Sequence, residues 1–117
     1  MTIKEVSRKY GLSQDTLRYY ERVGMIPRVT RSISGHRDYQ EADLAWVELV
    51  KCLRNAGLTV EAIVEYVRLS MEGPGTIRQR YELLRQQHDD LMAQRRRMDE
   101  ALGRLEHKIE MYAQKLK

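Results

Sequence analysis

The sequence predicts a mainly α-helical chain: a small domain of short helices carrying a β-hairpin wing, followed by one long helix that pairs with another copy. Three observations carry that prediction. Two short amphipathic segments at the N-terminus each begin at a hydroxyl cap and close at a glycine. Residues 28–39 mix strand formers with a Ser34-Gly35 turn. After Thr76, apolar residues recur every seven positions through to the end.

Thr2-Ile3-Lys4-Glu5 fits a capping box, with Thr2 as N-cap and Glu5 reaching back. The helix that follows buries Ile3 and Val6 and ends where Gly11 can turn left-handed. Ser13 caps a second helix, Asp15 favours its positive end, Gly24 terminates it and Pro27 marks the exit. Two short helices around a Gly-containing turn make a helix-turn-helix. Val29, Thr30, Ile33 and Tyr39 then suit the extended arms of a wing, against the plainer alternative of a solvated loop.

A third helix spans about Glu41 to Asn55, with Leu44, Val47, Leu49, Val50 and Leu53 apolar and Trp46 at their margin. Ala56-Gly57 breaks it. Thr59 caps a fourth helix running to about Ser70, in which Ile63, Tyr66, Val67 and Leu69 can face a core. Gly73-Pro74-Gly75 reads as a hinge. Beyond it, Ile77, Leu84, Leu91, Met98, Leu105 and Tyr112 form one row. Tyr81, His88, Arg95, Leu102, Ile109 and Leu116 form the other. Alternating three- and four-residue steps between the rows make a coiled-coil seam. A helix about 60 Å long cannot bury such a stripe within so small a domain, so a homodimer is expected through Leu84, Leu91, Met98, Leu102, Leu105, Ile109 and Tyr112. The expected domains are 1–72 for the winged helix-turn-helix and 76–117 for the dimerisation helix.

Charge placement supports the same division. The chain carries 21 Lys+Arg against 17 Asp+Glu. Residues 1–40 hold eight of the cations and four of the anions, an excess of four, while the other 77 residues hold thirteen of each and balance. The basic excess therefore lies on the helix-turn-helix and wing. Within it, Asp15-Thr16-Leu17-Arg18-Tyr19-Tyr20-Glu21-Arg22 puts guanidiniums and phenols on one short helix. Those groups suit a polyanion: arginine bonds phosphate or guanine edges bidentately, and a tyrosine hydroxyl can donate to phosphate. The expected partner is double-stranded DNA.

One cysteine rules out an intrachain disulfide and a multi-cysteine zinc site, and suits a reducing cytoplasm. Lys4 and Glu5 interrupt any signal-peptide pattern and no apolar run approaches 18 residues, so a soluble chain without membrane contact is expected. No cofactor, metal or catalytic residue is expected. A cysteine hydrolase would need Cys52 near one of the scattered histidines His36, His88 and His107. A coiled-coil adaptor that binds protein rather than DNA is the other alternative.

Four motifs in order resemble the MerR family of transcription regulators: Thr16-Leu17-Arg18-Tyr19-Tyr20-Glu21, Gly24-Met25-Ile26-Pro27, Gly35-His36-Arg37-Asp38-Tyr39 and Arg54-Asn55-Ala56-Gly57-Leu58. The resemblance covers the whole chain. It implies a homodimer joined by an antiparallel coiled coil and bound to a pseudo-palindromic promoter with an unusually long spacer. It also implies that the bound DNA is bent and untwisted so that RNA polymerase engages both promoter elements. Carried over by position, Arg18 and Tyr20 fall where the family contacts DNA from the second helix, and Arg31, Arg37 and Tyr39 fall on the wing. Arg54 matches a basic position that approaches the backbone. Tyr19 and His36 fall at variable contact positions, and Leu17 faces the core.

The signal is where this chain departs from the family. Metal-sensing relatives carry paired cysteines near the end of the dimerisation helix, and drug-sensing relatives add a ligand domain; neither is found through Lys117. Cys52 is placed like the lone cysteine of the branch responding to electrophiles or nitrosative stress, with Lys51 and Arg54 near it in sequence. The competing reading is a small buried hydrophobe.

Overall fold

A computed structural model describes residues 1–117. Five α-helices occur in order: α1 (Ile3–Tyr10), α2 (Gln14–Val23), α3 (Glu41–Ala56), α4 (Val60–Glu72) and α5 (Ile77–Lys115), with a 3₁₀ turn at Pro74–Thr76. The local rules account for the first four. The Thr2–Glu5 capping box forms in both directions, and Gly11 ends α1 in the left-handed region at φ 67°. Ser13 Oγ accepts from the Thr16 amide, and Gly24 closes α2 at φ 87°. Thr59 caps α4 through the Ala62 amide.

The chain divides into two compact units, Met1–Leu83 and Leu84–Lys117. The core of the first gathers Val6 from α1, Leu17 and Tyr20 from α2, and Met25, Ile26, Val29 and Tyr39 from the segment between α2 and α3. Val47 and Val50 of α3, Leu58, and Ile63, Val67 and Leu69 of α4 complete it. Burial of a side chain of this size contributes about 1.5–3 kcal/mol, so this cluster is what orients α1 against α2. Trp46 and Tyr66 form a tilted pair at its margin, with ring centroids 5.9 Å apart. Leu49, expected among the apolar faces of α3, is 38 % exposed.

One expectation is corrected. The segment after α2 forms no strands; its arms meet at a single antiparallel bridge between Arg31 and Arg37. Ser32 N bonds His36 O at 2.8 Å and Asp38 N bonds Thr30 O at 2.7 Å around a turn at Gly35, and pairing stops there. The reason lies in where the incoming arm spends its donors. The Thr30 amide, which faces the outgoing arm and would return the bond from Asp38, goes to Asp43 Oδ2 at 3.4 Å instead. The expected wing is thus a bridged loop rather than a β-hairpin.

At Gly73-Pro74-Gly75, expected as a hinge, α4 ends and a 3₁₀ turn leads into α5. Thr76 is buried, its hydroxyl donates to Leu69 O at 2.6 Å, and Arg80 bonds both Thr76 Oγ1 and Gly73 O at 3.0 Å.

In the second unit the helix buries none of its residues. Met98, Leu102, Leu105, Ile109 and Tyr112 are each 45–66 % exposed. No helix is long and apolar enough to cross a membrane.

Candidate nucleic-acid interface

Helical geometry sorts α2 into two faces. Leu17 and Tyr20 turn inward, whereas Asp15, Arg18, Tyr19 and Arg22, spaced by three and four, turn outward. Arg18 is braced by its own helix, with Nη1 3.2 Å from Asp15 Oδ1 and Nη2 3.3 Å from Gln14 Oε1. The Arg22 guanidinium lies over the Tyr19 ring at 5.5 Å. Arg22 belongs to this outward face although it was absent from the expected contact set. Its i,i+4 spacing from Arg18 is the signal that places it there.

The bridged loop returns alongside α2. Thr2, Ile3, Arg18, Arg31, Gly35, His36 and Arg37 line one cleft of about 330 Å³. Four of the expected contact residues, Arg18, Arg31, His36 and Arg37, therefore converge from two elements separated in sequence. His36 Nδ1 lies 3.0 Å from Ser34 Oγ, which ties the ring to the loop tip.

Glu21 joins the two elements, and the sequence reading gave it no role. Arg31 Nη2 donates to both its oxygens at 3.1 and 3.0 Å, and Arg37 Nε donates at 2.7 Å. Burial pushes the Glu21 carboxyl up, but the Val29 amide and the Arg37 and Arg31 guanidiniums outweigh that and leave it below the usual carboxylate range. It stays ionised and keeps both arginines paired. Its signal was its spacing: four residues after buried Leu17, it lies on the inward side of α2 and within one turn of the helix end.

Two residues expected as contacts place their rings in the core, and Tyr39 buries its hydroxyl as well. Tyr20 is 6 % exposed and Tyr39 1 % exposed. Burial raises both phenols above their ordinary range. Tyr39 packs in the core, its amide bonds Met1 O at 2.8 Å, and its buried hydroxyl has no hydrogen-bond partner. An aromatic ring covers more apolar area than its single hydroxyl costs, so both rings went to the only core this unit has. Tyr19, at 37 % exposure, is the tyrosine that α2 presents to solvent.

Arg54 sits in the last turn of α3 and donates to Leu58 O at 2.6 Å across the Gly57 cap. Cys52 is exposed, not packed away, and shares a shallow cleft of about 400 Å³ with Tyr10, Glu48, Lys51 and Asn55. Lys51 donates to Tyr10 O at 2.5 Å, so both cations near Cys52 in sequence are bonded to main-chain carbonyls.

A basic cleft shared by the second helix of a helix-turn-helix and a neighbouring loop defines a nucleic-acid reader. Comparison with known proteins narrows the class. Residues 1–70 match the MerR HTH family regulatory protein model, and residues 44–108 match the MerR, DNA binding model. The transcriptional regulator AdhR of Bacillus subtilis is 49 % identical over 92 residues, covering 79 % of this chain and 66 % of that protein. A crystal structure of a MerR family regulator from Listeria monocytogenes superposes with a TM-score of 0.93 at 45 % identity, covering 96 % of this chain and 85 % of that one. HiNmlR, described as a MerR family regulator lacking the sensor domain and bound to promoter DNA, superposes with a TM-score of 0.88 at 31 % identity, over 97 % and 90 % of the two chains. The chain belongs to the MerR family of transcriptional regulators.

Proposed function

We propose that the chain works as a homodimer that reads a pseudo-palindromic promoter with a long spacer. The observation that carries this is the meeting of Arg18, Arg31, His36 and Arg37 around one cleft. α2 offers Arg18, Tyr19 and Arg22 to base edges and phosphates, the loop offers Arg31, His36 and Arg37 to the backbone, and Arg54 makes a further backbone approach. Tyr39 supports these groups from beneath, and Tyr20 adds its hydroxyl to the backbone contacts. The exposed row on α5 supplies the dimer contact by antiparallel pairing of residues 76–117, which places two readers on one duplex. Bending and untwisting the spacer then brings both promoter elements to RNA polymerase.

Selection from a random duplex library tests this. The chain is expected to recover a two-fold related sequence, with affinity falling steeply with salt as phosphates are neutralised. Recovery of no shared sequence would favour the protein-binding adaptor instead.

The proposal extends to signal. Cys52 is the only thiol and is exposed, so an electrophile can reach it. An adduct on α3, whose Val47 and Val50 lie in the core, shifts that packing and reorients the reader between repressing and activating geometries. Cys52→Ser is expected to keep the fold, the dimer and DNA binding but lose the transcriptional response to an aldehyde. Full inducibility of that variant would reduce Cys52 to a surface residue.

A further inference from the structure

Glu21 is an anion placed among cations that face a polyanion, so on charge alone it opposes binding. Its side chain is 8 % exposed, and all its bonds run from α2 to the loop. It holds Arg31 on the incoming arm and Arg37 on the outgoing arm, either side of the one bridge, and caps the Val29 amide. A loop with one bridge has too few main-chain bonds to hold a fixed attitude by itself. The bonds to Glu21 use Arg31 Nη2 and Arg37 Nε, leaving Arg31 Nη1 and both terminal nitrogens of Arg37 for a phosphate.

We propose that Glu21 is a positioning residue that sets DNA specificity: it locks the loop arginines in one geometry relative to α2, so that phosphate contacts and base contacts fall in register on the same duplex. This rests on the DNA-reading function above. Random DNA needs only positive charge, because any phosphate will do. A specific site needs the arginines in one place while Arg18 meets a base edge. Glu21 thus trades a unit of attraction for register.

That trade separates placement from charge in a test. Binding is measured on two duplexes at fixed salt: the best sequence selected by the wild-type chain, and one random sequence of the same length. Glu21→Gln, with its fold checked by circular dichroism, should weaken the selected duplex about tenfold, the scale of one charge-assisted hydrogen bond. Binding to the random duplex should hold or strengthen, because one negative charge has gone. Arg37→Lys keeps the net charge and lacks the fork that Glu21 grips, and should show the same loss of discrimination. It decides the matter if Glu21→Gln does not fold. Wild-type discrimination in Arg37→Lys, or in folded Glu21→Gln, overturns the proposal. So does an equal loss on both duplexes, which is what a lost charge or a loosened fold produces. A wild-type chain that selects no duplex overturns the DNA reading, and this inference with it.

Discussion

Replacing Leu102 and Leu105 together with glutamate should turn the proposed homodimer into monomers and abolish tight DNA binding. Leu102 is 45 % and Leu105 58 % exposed on a helix that buries nothing of its own. They belong to the two rows that alternate by three and four, and burying a leucine contributes about 1.5–3 kcal/mol. Four leucines per dimer, two from each copy, would supply about 6–12 kcal/mol, before the cost of forcing carboxylates into the seam. At 1.4 kcal/mol per factor of ten, a nanomolar dimer would pass into the millimolar range. DNA affinity falls with it, because each monomer keeps one half-site and loses the second. The N-terminal unit, with its own core, should keep its helical signal. Sedimentation showing a stable double-mutant dimer would place the seam elsewhere.

Arg18→Ala and Arg37→Ala should fail differently. Arg18 is 45 % exposed at its side chain and is held only by Asp15 and Gln14 of its own helix, so a base edge can take it over. Its loss should cost about 1–3 kcal/mol on the selected duplex and much less on random DNA. Arg37 reaches the backbone and also grips Glu21, so Arg37→Ala should weaken random DNA as well as the selected duplex, the selected one more, and lower the salt slope by about one. Titrations of both duplexes at several salt concentrations separate the two. Unchanged affinity for Arg18→Ala would remove it from the interface.

Much of this was legible in the chain. Thr2, Ser13 and Thr59 announced the helix starts, and Gly11, Gly24 and Gly57 announced the ends, because capping depends on residues three or four apart. The helical repeat likewise put Arg18 and Tyr19 on one face of α2. The bare α5 seam was visible as a seven-residue period. The four motifs carried the family, and the family models matched.

The rest depended on partners distant in sequence. Val29, Thr30 and Ile33 read as strand formers, yet the Thr30 amide is taken by Asp43, so the hairpin shrinks to one bridge. Tyr20 and Tyr39 carry the same chemistry as Tyr19, and only packing sends two of the three into the core. Cys52 could have been core or surface by composition and lies on the surface. Glu21 read as one more helix carboxylate until the loop brought Arg31 and Arg37 to it from ten and sixteen residues away. The sequence by itself determined what is settled within a few turns of chain: helix limits, charge placement, the apolar period and family membership. The tertiary structure decided which polar groups face solvent and which pair with one another. Those choices turn on distances between segments, and a buried polar group is tolerable only where another segment supplies its partner.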